Sequence, residues 1–128
     1  MNQQILIIED DFAVRELILQ TLSKAGYQVI AAEDGVQGLS LFRERNPDLV
    51  ITDIVMPQKE GLQTIIEMKQ EAPTVKVIAM SGGGRYANTD YLKLARKFGA
   101  KRTVSKPFMR EEMLAVVREV LAEAPDAA

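Results

Sequence analysis

Four short, mostly apolar runs in this sequence lead into polar side chains whose types suit phosphoryl transfer. The runs occupy 5–8, 49–52, 77–80 and 103–105, and the polar residues that follow them are Glu9, Asp10, Asp53, Ser81 and Lys106. If these runs are neighbouring parallel strands, their carboxyl ends lie along one edge of a sheet, where open α/β folds bind ligands. Carboxylates, a hydroxyl group and an ammonium group would then converge on one site.

Carboxylate oxygens dominate this set, and they favour a hard divalent cation. Glu9, Asp10 and Asp53 form an all-oxygen cluster of the kind that Mg²⁺ or Mn²⁺ prefers. An aspartate beside such a cation can attack a phosphorus centre and form an aspartyl phosphate. The cation, the Lys106 ammonium group and the Ser81 hydroxyl with nearby backbone N–H groups would then stabilise the charge on the phosphoryl oxygens. This chemistry needs no histidine.

Each group also has an ordinary structural explanation when it is considered alone. The acidic triplet that ends at Asp11 could cap the following helix and offset its dipole. Asp53 could end a strand, Ser81 could lie in a loop, and Lys106 could be a solvated surface charge. The functional hypothesis rests on the combination, because four separate strand ends each supply a suitable group.

Composition limits the alternatives. The chain has 128 residues, enough for one domain that buries about two thirds of its unfolded surface. It has no cysteine and no histidine, which excludes disulfides, thiolate or histidine metal sites and nucleophiles activated by imidazole. The formal net charge of -2 gives no sign of a nucleic-acid or membrane surface. The first apolar run, at 5–8, is too short for a signal peptide or a membrane span, so we expect a cytoplasmic protein.

Five β-rich runs alternate with stretches of helical periodicity, which predicts an α/β domain with helices on both faces of a parallel sheet. The predicted strands are 4–8, 27–31, 49–52, 75–80 and 102–105. Gly26 is expected to cap the first helix, Asp34 to open the second, and Asn46-Pro47 to end it. Residues 123–128 are expected to form a frayed tail.

The sequence resembles the receiver domain of two-component response regulators over residues 5–121. The motifs that carry this resemblance are an acidic pair five residues before an arginine, an Asp-x-x-Met-Pro-x-x-x-Gly motif, a hydroxyl residue at the end of the fourth strand and a Lys-Pro-Phe signature. The acidic pair is Glu9-Asp10, and the arginine is Arg15. The Asp-x-x-Met-Pro-x-x-x-Gly motif is formed by Asp53, Met56, Pro57 and Gly61. The hydroxyl residue is Ser81, and the signature is Lys106-Pro107-Phe108.

The resemblance implies a flavodoxin-like, doubly wound (βα)5 fold with a five-stranded parallel sheet in the order 2-1-3-4-5. It places the receiver domain at 1–122 and leaves 123–128 as a short C-terminal tail. It also implies a cis peptide bond before Pro107. Asp11 lies one position beyond the acidic pair, so we interpret it as a helix cap and not as a metal ligand.

By the same resemblance, Asp53 would accept a phosphoryl group in a Mg²⁺-dependent reaction that Ser81 and Lys106 assist. The implied metal ligands, which would also accept Mn²⁺, are Glu9, Asp10, Asp53 and the main-chain carbonyl of Val55. The donor would be a sensor histidine kinase or a histidine phosphotransfer protein, since this chain has no histidine of its own. Phosphorylation would move Ser81 and the loop after it, and would thereby switch the binding of a downstream protein.

That downstream partner would dock on the face formed by the fourth helix, the fifth strand and the fifth helix. The resemblance implies no direct contact with nucleic acid or membrane, and a protein that is a monomer or a weak homodimer. Thr103 departs from the pattern, because many receivers have an aromatic switch residue at this position of the fifth strand. Tyr86 or Tyr91 would substitute for it, or would serve only in packing. How Ser81 communicates with the docking face is therefore open.

Other hypotheses remain at this point. A small phosphohydrolase would also use Asp53 as its nucleophile, but such enzymes place a second aspartate two residues later, where this chain has Val55. A nucleotide-binding module could use the glycine run 82–84, although that run lacks the spacing of a dinucleotide or P-loop motif. A receiver fold that binds partners without being phosphorylated is a third alternative. The sequence leaves open whether the chain is a whole protein or part of a longer regulator.

Overall fold

The computed structural model describes residues 3–54, 61–82 and 89–124, and within that range it leaves out the side chains of 89–92. The predictions for several residues therefore fall outside the described part, namely Val55, Met56, Pro57, Gly83, Gly84, Tyr86 and the side chain of Tyr91. The predictions made for them are not tested by the structure.

Five strands alternate with five helices along the described chain. The strands are β1 (Gln4–Ile8), β2 (Gln28–Ala32), β3 (Leu49–Asp53), β4 (Lys76–Ser81) and β5 (Arg102–Ser105). The helices are α1 (Phe12–Lys24), α2 (Gly35–Arg45), α3 (Gly61–Glu71), α4 (Thr89–Lys97) and α5 (Arg110–Ala122). Among the residues described, no helix combines the length and apolar character that crossing a membrane requires.

The strands form one parallel sheet in the order β2-β1-β3-β4-β5, which confirms the predicted flavodoxin-like fold. In its register, Asp53 lies opposite Met80, and Ser81 lies opposite Ser105. The strands β3 and β4 are thus one residue longer at their carboxyl ends than the apolar runs indicated. The polar residues at these ends are paired into the sheet, so their positions are fixed by its main-chain hydrogen bonds.

The core lies on both faces of the sheet. On one face, Leu6 and Ile8 of β1 pack with residues of α2, α3 and α4, and on the other face Ile5 and Ile7 pack with α1 and α5. All four side chains are fully buried. This explains why the central strands are continuous apolar runs with no alternation, as is usual for parallel strands covered on both sides.

Side-chain caps and left-handed residues fix the helix ends. The carboxylate of Asp11 accepts from the Val14 amide at 3.1 Å, and the carboxylate of Asp34 accepts from the Gln37 amide at 2.8 Å. These contacts confirm that Asp11 and Asp34 are N-caps. Asn46 ends α2 in the left-handed region with φ of 48°, and Gly26 follows α1 with φ of 103°.

The first two residues of the predicted tail are anchored. The Nζ atom of Lys76 donates to the carbonyl of Glu123 at 2.6 Å, and that of Lys101 donates to the carbonyl of Ala124 at 3.1 Å. The Glu123 carboxylate also forms ion pairs with Lys101 and Arg102. The prediction of fraying is therefore wrong for Glu123 and Ala124, because Lys76 of β4 and Lys101, just before β5, bind the carbonyls that follow α5. Residues 125–128 lie outside the described part.

Gly61 allows α3 to begin directly against the strand that carries Asp53. Its amide donates to the carbonyl of Ile54 at 3.2 Å. A Cβ atom at this position would lie 1.9 Å from the carbonyl oxygen of Asp53 and 2.5 Å from the Cα atom of Ile54. Both of these neighbours are backbone atoms, so they cannot move aside as the end of a flexible side chain can.

We therefore expect Gly61→Ala to lower the free energy of unfolding by about 2 kcal/mol or more, since overpacking against fixed atoms is costly. Urea denaturation monitored by circular dichroism would measure the change. Gly82→Ala is the matched control, because no described heavy atom lies within 4 Å of the Cβ position of Gly82. The control should change stability by less than about 1 kcal/mol. Equal stability of Gly61→Ala and the wild type would contradict this account of the β3 to α3 junction.

Candidate functional site

Three carboxylates converge at the carboxyl edge of the sheet. Glu9 follows β1 and Asp53 ends β3, and these strands are neighbours in which Ile8 lies opposite Thr52. Oxygen atoms from Glu9, Asp10 and Asp53 all lie within 4.8 Å of one another. Glu9 is fully buried and Asp53 is only 5% exposed, whereas Asp10 is exposed to solvent. The structure thus brings together the three carboxylates that the sequence analysis proposed as one cluster.

Lys106 reaches this cluster from the end of β5. Its Nζ atom lies 2.9 Å from Oδ2 of Asp53 and also forms an ion pair with Oε1 of Glu9. Its main-chain N–H group donates to the carbonyl of Ser81 at 2.8 Å, and the peptide bond to Pro107 is cis, as expected. One ammonium group is therefore shared by two carboxylates that belong to two different strand ends.

Burial changes the protonation chemistry of this network. Burial of Glu9 raises its pKa to about 7, and the nearby charge of Asp53 contributes to the rise, while the contacts with Lys106 oppose it. For Lys106, burial acts to lower the pKa, but the two carboxylates together outweigh that effect and raise it. Lys106 is thus a cation at neutral pH, and Glu9 is poised between its two protonation states.

Ser81 ends β4 beside this network. It is only 4% exposed, and β4 lies between β3 and β5 in the sheet. Its hydroxyl lies 3.5 Å from the carbonyl oxygen of Gly82, which is at the outer limit for a hydrogen bond. The hydroxyl is therefore weakly held, and a group arriving at this edge of the sheet could recruit it.

Two contacts at the site were missed by the reasoning from sequence. The hydroxyl of Thr52, which is fully buried, donates to the carbonyl of Asp53 at 2.9 Å. The guanidinium group of Arg15 donates to the carbonyl of Glu9 at 2.8 Å. The threonine next to Asp53 was only weak evidence for this hydrogen bond, since threonine also occurs often in strands because of its branched side chain. Arg15 was noted as part of a motif, but sequence spacing does not predict a contact between a helix side chain and a turn carbonyl.

The donor atoms present suit a hard divalent cation. Glu9, Asp10 and Asp53 supply carboxylate oxygens only, which is the ligand chemistry that Mg²⁺ and Mn²⁺ prefer. The exposure of Asp10 leaves the cluster open to solvent on one side, and Mg²⁺ commonly keeps several water ligands. The cluster could therefore bind a metal ion. The carbonyl of Val55, the fourth predicted ligand, lies outside the described residues.

Comparison with known proteins identifies the family. Residues 5–118 match the family model of the response regulator receiver domain. The chain belongs to this family. Sporulation initiation phosphotransferase F of Bacillus subtilis (strain 168) is 31% identical over 121 residues, which cover 94% of this receiver and 95% of that protein. Chemotaxis protein CheY of the same organism is 34% identical over 122 residues, which cover 94% of this receiver and 99% of that protein.

Solved structures agree with this assignment. A crystal structure of a CheY-like response regulator receiver domain protein from Methanospirillum hungatei JF-1 superposes with a TM-score of 0.88 at 27% identity, over 94% of both chains. Several other relatives are longer, and the receiver spans about half of their length. Membership of the two-component response regulators, predicted from the motifs, is thus confirmed.

The raised pKa of Glu9 predicts that the metal-free receiver loses stability as the pH rises. Its carboxyl group binds a proton more tightly in the folded protein, with a pKa of about 7, than in the unfolded chain, with a value of 4.5. The resulting stabilisation is fully present below pH 4.5 and is lost as the pH rises through about 7. Glu9→Gln removes this titration, so the variant should gain stability relative to the wild type across that interval, by on the order of 2 kcal/mol.

Urea denaturation in the presence of a chelator, repeated between about pH 5 and about pH 8, would measure this difference. Glu44→Gln controls for the loss of one carboxylate, since Glu44 is exposed to solvent on α2. A difference between Glu9→Gln and the wild type that stays constant over this pH range would contradict the raised pKa.

Proposed function

We propose that this receiver accepts a phosphoryl group on Asp53 from a phosphohistidine of another protein, in a Mg²⁺-dependent reaction, and so switches the binding of a partner. One observation carries the proposal: the carboxylate of Asp53 lies within 4.8 Å of two further carboxylates and 2.9 Å from the ammonium group of Lys106. An acceptor placed between a metal-binding cluster and a fixed cation meets the electrostatic needs of phosphoryl transfer.

The reaction needs little from the protein beyond position and charge. A carboxylate oxygen of Asp53 forms a bond to phosphorus while the bond from phosphorus to the donor imidazole breaks, and the imidazole nitrogen keeps that electron pair. Mg²⁺ held by Glu9, Asp10 and Asp53 would neutralise charge on the phosphoryl oxygens. Lys106 holds a second positive charge within reach of Asp53, and the weakly held Ser81 hydroxyl is available to donate to a phosphoryl oxygen.

The donor belongs to a known class of partners. Receiver domains of response regulators interact with histidine kinases and phosphotransfer proteins. These 128 residues contain no histidine, and in our proposal the phosphohistidine belongs to such a partner. The receiver is then a phosphoacceptor that is modified once per cycle, and no multiple-turnover activity on small molecules is proposed for it.

The switch itself would pass from Ser81 to the face formed by α4, β5 and α5. The main chain of Ser81 is tied to β5, since Ser81 pairs with Ser105 and its carbonyl accepts from the Lys106 amide. A movement of Ser81 toward the phosphoryl group would therefore displace the end of β5 as well. Thr103, which lies opposite Ala79, is half-buried and small, and it occupies the position where many receivers have an aromatic switch residue. In this receiver the main-chain link between Ser81 and β5 would take over the role of that aromatic side chain. Leu94 and Phe98, both partly exposed on or next to α4, offer an apolar surface for the partner.

Incubation with acetyl phosphate and Mg²⁺ should add a single phosphoryl group to the receiver, which intact-mass spectrometry would detect. The adduct should disappear in Asp53→Asn, because an amide cannot act as the nucleophile, and it should disappear without the metal. Asp11→Asn is the matched control. Asp11 lies in the same acidic turn but serves as the N-cap of α1, and asparagine caps helices as well as aspartate does. This control should keep the adduct.

Three outcomes would overturn the proposal in different ways. A folded receiver that binds the metal but gains no phosphoryl group would indicate an interaction module that does not signal by phosphate. Continuous release of phosphate from a small ester over many turnovers would indicate a phosphohydrolase instead. Survival of the adduct in Asp53→Asn would move the acceptor to another residue.

A further inference from the structure

The side chain of Arg15 holds the turn that carries the acidic pair. It extends from α1, and its Nη1 atom lies 2.8 Å from the carbonyl oxygen of Glu9 and 3.4 Å from that of Asp10. The side chain is only 12% exposed. Two successive carbonyls of the turn therefore face one guanidinium group, and such charge-assisted hydrogen bonds are stronger than those between neutral groups.

Of the three clustered carboxylates, Asp10 is the one most exposed to solvent. Glu9 is buried, accepts from the Asp11 amide at 3.2 Å and pairs with Lys106. Asp53 is buried, belongs to β3 and also pairs with Lys106. The carboxylate of Asp10 is exposed, so its direction depends on the peptide groups that flank it. Those peptide groups are the ones that Arg15 contacts.

We propose that Arg15 is a positioning residue, which fixes the main chain on both sides of Asp10 and so aims the Asp10 carboxylate at the metal-binding cluster. This inference rests on the metal site of the proposed function. In this role the arginine orders a metal ligand through the backbone of that ligand, and it touches neither the ion nor the substrate.

Other contacts orient the guanidinium group toward the turn. Its Cζ atom lies 5.6 Å from the ring centroid of Phe12, close enough for a cation–π interaction. Its Nη2 atom lies 4.0 Å from the carboxylate of Glu33, beyond the end of β2. Phe12 belongs to α1, as Arg15 does, whereas Glu33 follows β2. The Arg15 side chain therefore bridges α1, the acidic turn and the segment after β2.

Charge and geometry predict opposite effects of removing Arg15. The guanidinium group is a cation close to the cluster, so its charge alone opposes the binding of a second cation. If charge were its main influence, its removal would strengthen metal binding. If Arg15 instead orders the turn, its removal weakens metal binding, because Asp10 is no longer held in place. The sign of the change therefore separates the two roles.

The test measures Mn²⁺ binding to the unphosphorylated full chain by electron paramagnetic resonance of the free ion. Arg15→Met keeps the apolar stem and removes the charge and both hydrogen bonds, and we expect it to weaken Mn²⁺ binding about tenfold, as is typical of residues that orient metal ligands. Arg15→Lys keeps the charge but not the planar fork, so we expect it to weaken binding as well, to a smaller extent. Arg118→Met, on the exposed side of α5, matches the change in net charge and should leave binding unchanged.

A second measurement distinguishes local ordering from general loss of stability, and it needs no metal. The amides of Asp11 and Val14 donate to carboxylates within the acidic turn, so their hydrogen exchange reports its order. In Arg15→Met these two amides should exchange faster while those of β3 and β4 keep their protection. Equal acceleration at all of these amides, or metal binding that is unchanged or tighter in Arg15→Met, would overturn the role of Arg15. Failure of the wild type to bind Mn²⁺ would overturn the metal site, whereas faster exchange confined to the turn would still support ordering by Arg15.

Discussion

Two carboxylates buried side by side repel each other unless a cation or a proton offsets their charge, and much of this site follows from that constraint. Lys106 supplies the cation for Glu9 and Asp53. It starts from the end of β5, whereas the carboxylates lie at the ends of β1 and β3, so its side chain has to pass the end of β4. Small residues, Ser81 and Gly82, occupy that position. Neighbouring strands are about 4.8 Å apart, and a long unbranched side chain suits this span.

The same constraint makes the site suited to binding a divalent cation. Even with Lys106 beside it, Glu9 retains a pKa of about 7, so the cluster carries an electrostatic cost that this ammonium group does not fully offset. A divalent cation bound by the same oxygens would lower that cost, and it would compete with Lys106 for the carboxylates. The protonation of Glu9, the binding of a metal ion to the cluster and the position of Lys106 are therefore coupled, because all three involve the same carboxylate oxygens.

Sequence reasoning succeeded where one local pattern decided the outcome. The continuous apolar runs of β1, β3 and β4, the caps at Asp11 and Asp34 and the left-handed residues each depend on a few neighbouring residues. Strand order came from the family resemblance, because periodicity does not tell which strands pair. The contact of Arg15 and the anchoring of Glu123 were not predicted, since each depends on a side chain that meets a group in another element. The Thr52 hydroxyl contacts the residue next to it, but threonine is too common in strands to predict that contact. The predicted carboxyl ends of β3 and β4 were one residue too early. The prediction ended these strands before Asp53 and Ser81 because both are polar, but both still pair within the sheet.

The two edges of the sheet differ in a way that suits a switch. At the amino edge, Lys76 at the start of β4 binds carbonyls at the end of α5, and Arg102 at the start of β5 pairs with Glu123. These contacts hold the beginnings of β4 and β5 against the same helix. At the carboxyl edge, the Ser81 hydroxyl is weakly held, and the ammonium group of Lys106 pairs with carboxylates whose charge would change in the proposed reaction. A response at the site is therefore expected to bend the two strand ends and not to slide whole strands, which confines the movement to the side of the domain where α4 and β5 meet.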